Sequence, residues 1–131
     1  MMDNVFCFGL GEPFINLRLT VWYELRLIDS SALDRLNSGH MLSAAYEKWG
    51  ESVPEKLSGE FAVVIQDHDK DQVLFFVDHM GSRTLYYYQD ANQLVIATAE
   101  HLLFSQGNIP RRPNLHCIAS SISAGFGLSH P

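Results

Sequence analysis

The two cysteines are the residues of this chain whose chemistry is most distinctive, because a thiolate is a strong nucleophile. They are Cys7 and Cys117. A catalytic thiol needs a base, either a nearby histidine or its own α-amine when it begins the chain. Cys7 lies in the short apolar run Val5–Phe8, which predicts a strand and a buried, unreactive thiol. Two interpretations stay open: a core thiol, or a nucleophile exposed by removal of the preceding residues.

Three aspartates have the spacing with which a calcium loop begins. Asp67, Asp69 and Asp71 occupy alternate positions, and Asp78 follows at the twelfth position of such a loop. The sharp turn of that loop needs glycine at its sixth position, where this chain has Gln72. The flanking segments also have the pattern of strands rather than helices. We therefore expect the acidic tip of a hairpin and no metal.

Histidines and glycines form no recognisable binding motif. The six histidines include no pair at the i, i+4 spacing that would place two ligands on one helix face. His79 follows Asp78, but neighbouring residues of a strand point to opposite faces. No glycine-rich loop ends in Gly-Lys-Ser or Gly-Lys-Thr. The sequence thus predicts no cofactor for this chain.

Composition places the chain among ordinary globular domains. It has 131 residues, 47% of them hydrophobic and 18% charged, and a formal net charge of −6. This length predicts one domain over residues 1–131. The acidic balance argues against nucleic acid as a partner, since phosphate binding depends on clustered Lys and Arg. No apolar run approaches the ~20 residues of a membrane helix, and the first residues carry no positive charge, so we expect a cytoplasmic protein.

Hydrophobic spacing predicts the elements that must position these residues. Strands are predicted at Val5–Phe8, Phe14–Leu19, Val21–Leu27, Phe61–Asp67, Gln72–Asp78, Leu85–Tyr88 and Leu94–Ala97. One or two helices are predicted after Asp29, a short one and a longer one that starts near Ser38 and ends before Gly50. A helical turn closed by glycine is predicted at Val53–Gly59, and further helices are predicted at Thr98–Leu103 and Leu115–Ser121. The tail Gly125–Pro131 is predicted to be irregular.

The central strands are continuous apolar runs, which is typical of strands buried on both faces. Two antiparallel sheets packed on each other and covered by helices would produce this pattern. We therefore predict an α+β fold with four layers, α/β/β/α. The predicted core residues are Phe61, Val63, Ile65, Val73, Phe75, Val77, Leu85, Tyr87, Val95 and Ala97.

The order of motifs from Ala45 to Leu103 resembles the class II glutamine amidotransferase domain of asparagine synthetases. The similar segments are Ala45–Glu51 (AYEKWGE), Glu55–Ala62 (EKLSGEFA), Phe75–Tyr87 (FFVDHMGSRTLYY) and Ile96–Leu103 (IATAEHLL). Thr84 stands where that family usually has proline. The resemblance implies an Ntn-hydrolase-like fold, truncated at the N-terminal side. It also implies structural roles for Gly59, Phe61, Asp67, Asp78, Gly81, Leu85 and Tyr86.

The same resemblance implies that the glutaminase site is degenerate. Active members use an N-terminal cysteine as nucleophile, and Met2 stands at that place. Asp29 aligns with the asparagine that donates to the oxyanion, and Ser38 aligns with the aspartate that binds the substrate amine. An ionised carboxylate cannot donate a hydrogen bond to an oxyanion. The arginine that holds the substrate carboxylate has no recognisable counterpart between Gly9 and Thr20.

These substitutions make the chain similar to the degenerate N-terminal domains of β-lactam synthetases and lasso-peptide cyclases. The resemblance implies a silent domain that serves as scaffold or interface for an ATP-dependent, amide-forming synthetase. ATP and Mg would belong to that synthetase domain, whose SGGxDS loop does not occur in this chain. The expected partner is the synthetase domain or subunit, with a homodimer as a second assembly. The alternatives are an active glutaminase using Cys7, or a stand-alone interaction or dimerisation module.

Overall fold

The computed structural model describes residues 5–27, 38–78, 84–89, 93–106, 116–118 and 124–126. The strands in these ranges are β1 (Val5–Phe8), β2 (Phe14–Ile15), β3 (Leu19–Leu27), β4 (Gly59–Asp67), β5 (Gln72–Val77), β6 (Leu85–Gln89), β7 (Leu94–Ala97), β8 (His116–Ile118) and β9 (Ala124–Phe126). The helices are α1 (Ser38–Trp49), a 3-10 turn (Gly50–Ser52), α2 (Val53–Lys56) and α3 (Glu100–Gln106). Most of the predicted elements are therefore present.

The strands form two sheets. The four-stranded sheet has the order β1-β7-β6-β8, and the five-stranded sheet has the order β2-β3-β4-β5-β9. All pairs of the five-stranded sheet are antiparallel. In the four-stranded sheet β1 runs parallel to β7, with Cys7 opposite Ile96. The prediction of two antiparallel sheets is wrong for this pair, because strands so distant in sequence are free to meet in either direction.

Three hydrophobic clusters fill the spaces between the layers. The inter-sheet cluster contains Ala62, Val64, Val73, Phe75, Val77, Leu85, Leu94 and Ile96. On the outer face of the five-stranded sheet, Leu42, Ala45 and Tyr46 of α1 pack against strand residues such as Val63 and Phe76. On the outer face of the four-stranded sheet, Leu103 of α3 packs against Val95 and Ala97. This arrangement confirms the α+β fold with α/β/β/α layers.

The period of two along each strand decides which cluster a residue joins. In β4, Ala62 and Val64 face the other sheet, while Phe61 and Val63 face the helix. Nine of the ten predicted core residues are buried. The exception is Tyr87, which is half-buried and packs against the inter-sheet cluster. Its ring contacts Phe75 edge-on, with ring centroids 5.0 Å apart.

The C-terminal predictions are wrong. The predicted helix Leu115–Ser121 contains the strand β8, which pairs with β6 so that His116 lies opposite Tyr87. The predicted irregular tail begins at Gly125, within β9, which pairs with β5; residues 127–131 lie outside the described ranges. Both strands are only three residues long. Their conformation is set by hydrogen bonds to a distant strand rather than by local periodicity.

A side-chain-stabilised turn interrupts the predicted strand Phe14–Leu19. The Oδ1 atom of Asn16 accepts hydrogen bonds from the backbone N–H groups of Arg18 and Leu19, each at 2.8 Å. Such an Asx turn competes with strand pairing. As a result β2 ends at Ile15 and β3 begins at Leu19, two residues before the predicted start.

Candidate functional site

Cys7 lies in the middle of β1, at an edge of the four-stranded sheet. The residue is half-buried and packs against the inter-sheet cluster. Burial raises the pKa of the Cys7 thiol well above its ordinary range. The protonated form is therefore favoured, which is the opposite of what a catalytic cysteine needs. This is the environment expected of a core thiol.

Of the positions that the resemblance assigns to a degenerate glutaminase site, Met2 and Asp29 lie outside the residues that the structure describes. Gly81, to which the resemblance assigns a structural role, also lies outside them. Ser38 is buried and is the first residue of α1. That helix packs on the outer face of the five-stranded sheet, whereas Cys7 packs between the sheets. The two residues thus belong to different layers of the fold.

Asp67 organises the hairpin between β4 and β5. Its carboxylate is 1% exposed. Oδ1 accepts hydrogen bonds from the N–H groups of Asp69 and Lys70, both at 3.0 Å, and Oδ2 accepts one from the Tyr46 hydroxyl at 2.8 Å. Gln72 in turn donates to the Tyr46 oxygen at 3.1 Å. These contacts join the hairpin to α1.

Asp78 connects two strands of the five-stranded sheet at the end of β5. It is fully buried, its N–H donates to the Phe61 carbonyl at 3.0 Å, and its Oδ1 lies 3.4 Å from the Phe61 nitrogen. Gly59 begins β4 with φ at 132°, a conformation that favours glycine. Leu85 is buried between the sheets, and Tyr86 packs against the cluster below α3.

A cavity lies beside the segment between β7 and α3 and is also lined by residues of β3, β4 and β6. Its volume is about 460 Å³, within the ~300–1,000 Å³ range of small-molecule sites. The lining residues are Glu24, Ala62, Thr84, Tyr86, Thr98, Ala99 and Glu100. We call it the acid-lined cavity, because its described lining includes two carboxylates and no Lys, Arg or His.

Sequence reasoning did not single out the acid-lined cavity, although one signal was present. The side chains of β3 that face α1 are those of Leu19, Val21, Tyr23 and Leu25. Glu24 alternates with them along the strand, so it faces the other sheet. Its register partner is Ala62, on the inter-sheet face of β4. A carboxylate at such a position indicates a polar gap between the sheets. The approach of Thr98 and Glu100 to that gap depends on the tertiary structure.

The described residues show no arrangement typical of a metal centre or a membrane span. No three His, Cys, Asp or Glu side chains are grouped within these ranges in a way that could hold a metal ion. None of the helices described there is long and apolar enough to cross a membrane.

Comparison with known proteins agrees with this fold. A family model described as a glutamine amidotransferase domain matches residues 29–105, more than half of the chain. The chain belongs to this family. The matched range begins after β3, so Cys7 lies outside it and Asp29 and Ser38 lie inside it. The motifs from Ala45 to Leu103 also lie inside it, which confirms the resemblance to a glutamine amidotransferase domain.

One similar protein is much longer than this chain. The amidase chry2 of Gibberella zeae is 32% identical to the chain over 76 residues. That alignment covers 58% of this chain and 11% of the relative. The chain therefore spans only a small part of the length of the curated relative that it matches.

Proposed function

We propose that this glutamine amidotransferase domain does not hydrolyse glutamine and serves as a scaffold or interface for an ATP-dependent, amide-forming synthetase. The observation that carries the proposal is the environment of Cys7. A class II glutaminase would need a thiolate whose own α-amine acts as the base. Cys7 instead continues a strand on both sides, and burial disfavours its thiolate.

Exposing the Cys7 α-amine would damage the fold. Removal of the preceding residues would delete Val5 and Phe6, half of β1, together with their pairing to Leu94 and Val95 of β7. Val5 also packs against the inter-sheet cluster. The alternative, an active glutaminase that uses a processed Cys7, therefore requires the loss of part of a sheet edge.

The substitutions at the substrate positions support the same proposal. A serine at position 38 cannot supply the negative charge that would hold a substrate amine, and an aspartate at position 29 is no donor when ionised. Loss of one oxyanion donor typically costs ~10²–10³ in rate. The two roles come from the family resemblance, and both positions lie within the matched range.

Two aspartates of the family motifs make hydrogen bonds that stabilise the fold. Asp67 and Asp78 are buried and hydrogen-bonded to neighbouring backbone and side-chain groups. A domain that keeps such contacts without a reactive thiol is suited to supporting another domain. The proposed partner is an asparagine-synthetase-type unit, which would carry the ATP and Mg sites. Family membership by itself favours the alternative, ammonia supply from glutamine, so activity must be measured.

The test is a coupled glutamate and ammonia assay on purified protein whose N-terminus has been sequenced. We expect no turnover of glutamine above the buffer rate. Cys7→Ala is the diagnostic variant, and Cys117→Ala is its matched control, because it removes the other thiol. Turnover that disappears in Cys7→Ala but persists in Cys117→Ala would contradict the proposal and establish the alternative.

The synthetase association has its own test. The complete coding region and its neighbouring genes should contain a segment with an SGGxDS pyrophosphate loop. Sedimentation measurements on the isolated chain would then distinguish a partner-dependent domain from a stand-alone module. A stable homodimer with no such synthetase in the locus would favour the dimerisation module.

A further inference from the structure

We propose that the segment from Glu12 to Arg18 is a contact surface between two copies of this chain. We call it the edge segment, because it contains β2, which lies at the edge of the five-stranded sheet in the described part of the chain. The amidotransferase positions Cys7, Asp29 and Ser38 lie outside it. The inference is therefore independent of whether the domain hydrolyses glutamine or supports a synthetase.

Every second residue of the edge segment contacts α1. The contacting pairs are Phe14 with His40, Asn16 with Ser43, and Arg18 with Glu47. The ring centroids of the first pair are 4.6 Å apart, and the polar atoms of each other pair are 3.0 Å apart. Arg18 also forms a 2.8 Å ion pair with Asp69 of the β4–β5 hairpin. These contacts hold the segment in one conformation, which lowers the entropy lost when a partner binds.

The intervening residues turn two aliphatic side chains into solvent. Ile15 is 66% exposed and Leu17 is 100% exposed, more than any other large apolar side chain in the described ranges. Ile15 lies opposite Thr20 of β3, on the side of the sheet away from α1. Removing aliphatic side chains from water is favourable in proportion to the area buried. A partner that covers both side chains is therefore stabilised by their burial.

The order of charges along the edge segment favours a second copy as that partner. Glu12 lies three residues before Ile15, and Arg18 lies three residues after it. In a two-fold, antiparallel arrangement centred on Ile15, Glu12 of each copy lies beside Arg18 of the other. A parallel arrangement would bring like charges together. Glu12 is exposed, and the Arg18 side chain is 47% exposed while it contacts Glu47 and Asp69.

The small size of the contact predicts a weak dimer. Interfaces that bury less than ~1,200 Å² in total are typical of transient complexes. Pro13 and the turn at Asn16 limit continuous strand pairing along this edge, so the contact depends on side chains. Each copy has a formal net charge of −6, and the resulting repulsion is reduced by salt. We therefore expect a reversible equilibrium between monomer and dimer.

Sedimentation equilibrium of the 131-residue chain tests the proposal, at protein concentrations up to ~1 mM and an ionic strength of ~0.15 M. Leu17→Asp should weaken dimerisation about tenfold or more, because it places a charge in the apolar contact. Phe104→Asp is the matched control, since Phe104 is an exposed apolar residue on α3 and should leave the dimer unchanged. Circular dichroism checks that both variants are folded.

Charge reversal tests the pairing of the two copies. Glu12→Arg would place two cationic side chains side by side, at position 12 of one copy and Arg18 of the other. We expect the dimer to weaken about threefold, as is usual for an exposed charge pair. Glu55→Arg is the control, because it reverses an exposed charge on α2 and changes the net charge equally. The difference between the two variants thus measures the pairing alone.

A disulfide crosslink locates the two-fold axis. Ile15 is the central residue of the proposed contact, so two Ile15→Cys chains should bring their new thiols within reach of each other. We expect a covalent dimer on non-reducing electrophoresis after mild oxidation with oxidised glutathione. The controls are Phe104→Cys and the wild type, which carries Cys7 and Cys117. Both should crosslink much more slowly than Ile15→Cys.

Three results would overturn the inference. One is a chain that stays monomeric at the highest concentration, which would leave Ile15 and Leu17 for a different protein. Another is a dimer that Leu17→Asp does not weaken, which would place the interface elsewhere. A third is crosslinking of Ile15→Cys no faster than that of Phe104→Cys, which would exclude the two-fold packing. The glutaminase assay and the search for a synthetase are separate measurements, so either proposal can fail without the other.

Discussion

At the scale of single residues, Cys7 shows how position in a strand controls reactivity. Its thiol packs against apolar side chains of two sheets. Such surroundings stabilise the neutral thiol, and the thiolate is the form that attacks electrophiles. The same residue type at an exposed, electropositive position would be reactive.

We predict that iodoacetamide modifies Cys7 slowly in the folded protein at neutral pH. The physical reason is its raised pKa, which lowers the thiolate fraction, together with its partial burial. Peptide-resolved mass spectrometry measures the rate separately from that of Cys117, and the same peptide in urea is the control. Equal rates in the folded and unfolded protein would show that Cys7 is not protected.

Tyr46 is the residue that connects Asp67 to α1. We predict that Tyr46→Phe lowers the free energy of unfolding by about 1–3 kcal/mol, because it removes a buried donor to a carboxylate. Urea denaturation measures the change. Tyr23→Phe is a suitable control, since Tyr23 is a half-buried tyrosine beside the same cluster. A loss no larger than that of the control would show that the contact with Asp67 contributes little.

Stability should also depend on the ionisation of Tyr46. Burial, and next its hydrogen bond with Asp67, raise the pKa of Tyr46 to about 12, above the ordinary value of about 10 for a tyrosine. Because the pKa is higher in the folded state, this contribution is complete below pH ~10 and is lost as pH rises towards ~12. The stability difference between wild type and Tyr46→Phe should therefore shrink over that range. A constant difference would contradict the raised pKa.

At the scale of elements, the turn after β1 shapes the wall of the acid-lined cavity. Gly9 has φ of 94° and Gly11 has φ of 77°. A Cβ atom on Gly9 would collide with the Oγ1 atom of Thr98, whereas one on Gly11 would meet nothing within 4 Å. The two glycines thus share a positive φ, which would strain a residue with a side chain, but differ in their surroundings.

This difference predicts unequal effects of alanine. Gly11→Ala should cost about 1–2 kcal/mol for the left-handed backbone alone. Gly9→Ala should cost more, since Thr98 must also move. Chemical denaturation of both variants provides the comparison. Equal decreases in the free energy of unfolding would show that Thr98 moves aside without destabilising the fold.

The two faces of β5 support different layers, and Phe75 is fully buried between the sheets. We predict that Phe75→Ala lowers the free energy of unfolding by about 3–5 kcal/mol, through lost burial and the cavity left behind. Phe104→Ala is the matched control, because Phe104 is 41% exposed on α3; its change should be about 0.5 kcal/mol or less. Similar values for both would place Phe75 outside the core.

At the scale of the whole molecule, the question is whether the layers unfold together. Trp22 packs against the inter-sheet cluster, while Trp49 ends α1 and is 38% exposed. Each tryptophan therefore reports on a different layer. The Tyr46–Asp67 bond and the shared five-stranded sheet connect these layers.

We predict coincident unfolding transitions for the two reporters. Trp22→Phe leaves Trp49 as the fluorescent probe, and Trp49→Phe leaves Trp22. In each variant the fluorescence midpoint should equal the midpoint from far-UV circular dichroism, as a single cooperative unit requires. An earlier transition seen by Trp49 alone would show that α1 detaches before the sheets unfold.

The sequence by itself determined much of the fold, because the pattern of apolar residues is a local property. Continuous apolar runs predicted β4 and β5, and the apolar spacing from Ser38 predicted α1. Nine of the ten predicted core residues are buried. The family motifs were readable for the same reason, since most lie within one contiguous range. The acidic hairpin tip also followed from local turn chemistry at Asp67.

Only the tertiary structure decided features that depend on distant contacts. The parallel pairing of β1 with β7 and the short strands β8 and β9 join segments far apart in sequence. The acid-lined cavity has the same origin, because its lining residues Glu24 and Glu100 lie on β3 and α3, which are far apart in sequence. Local periodicity carries information about each strand's faces, whereas pairing partners and gaps between sheets arise from packing of the complete chain.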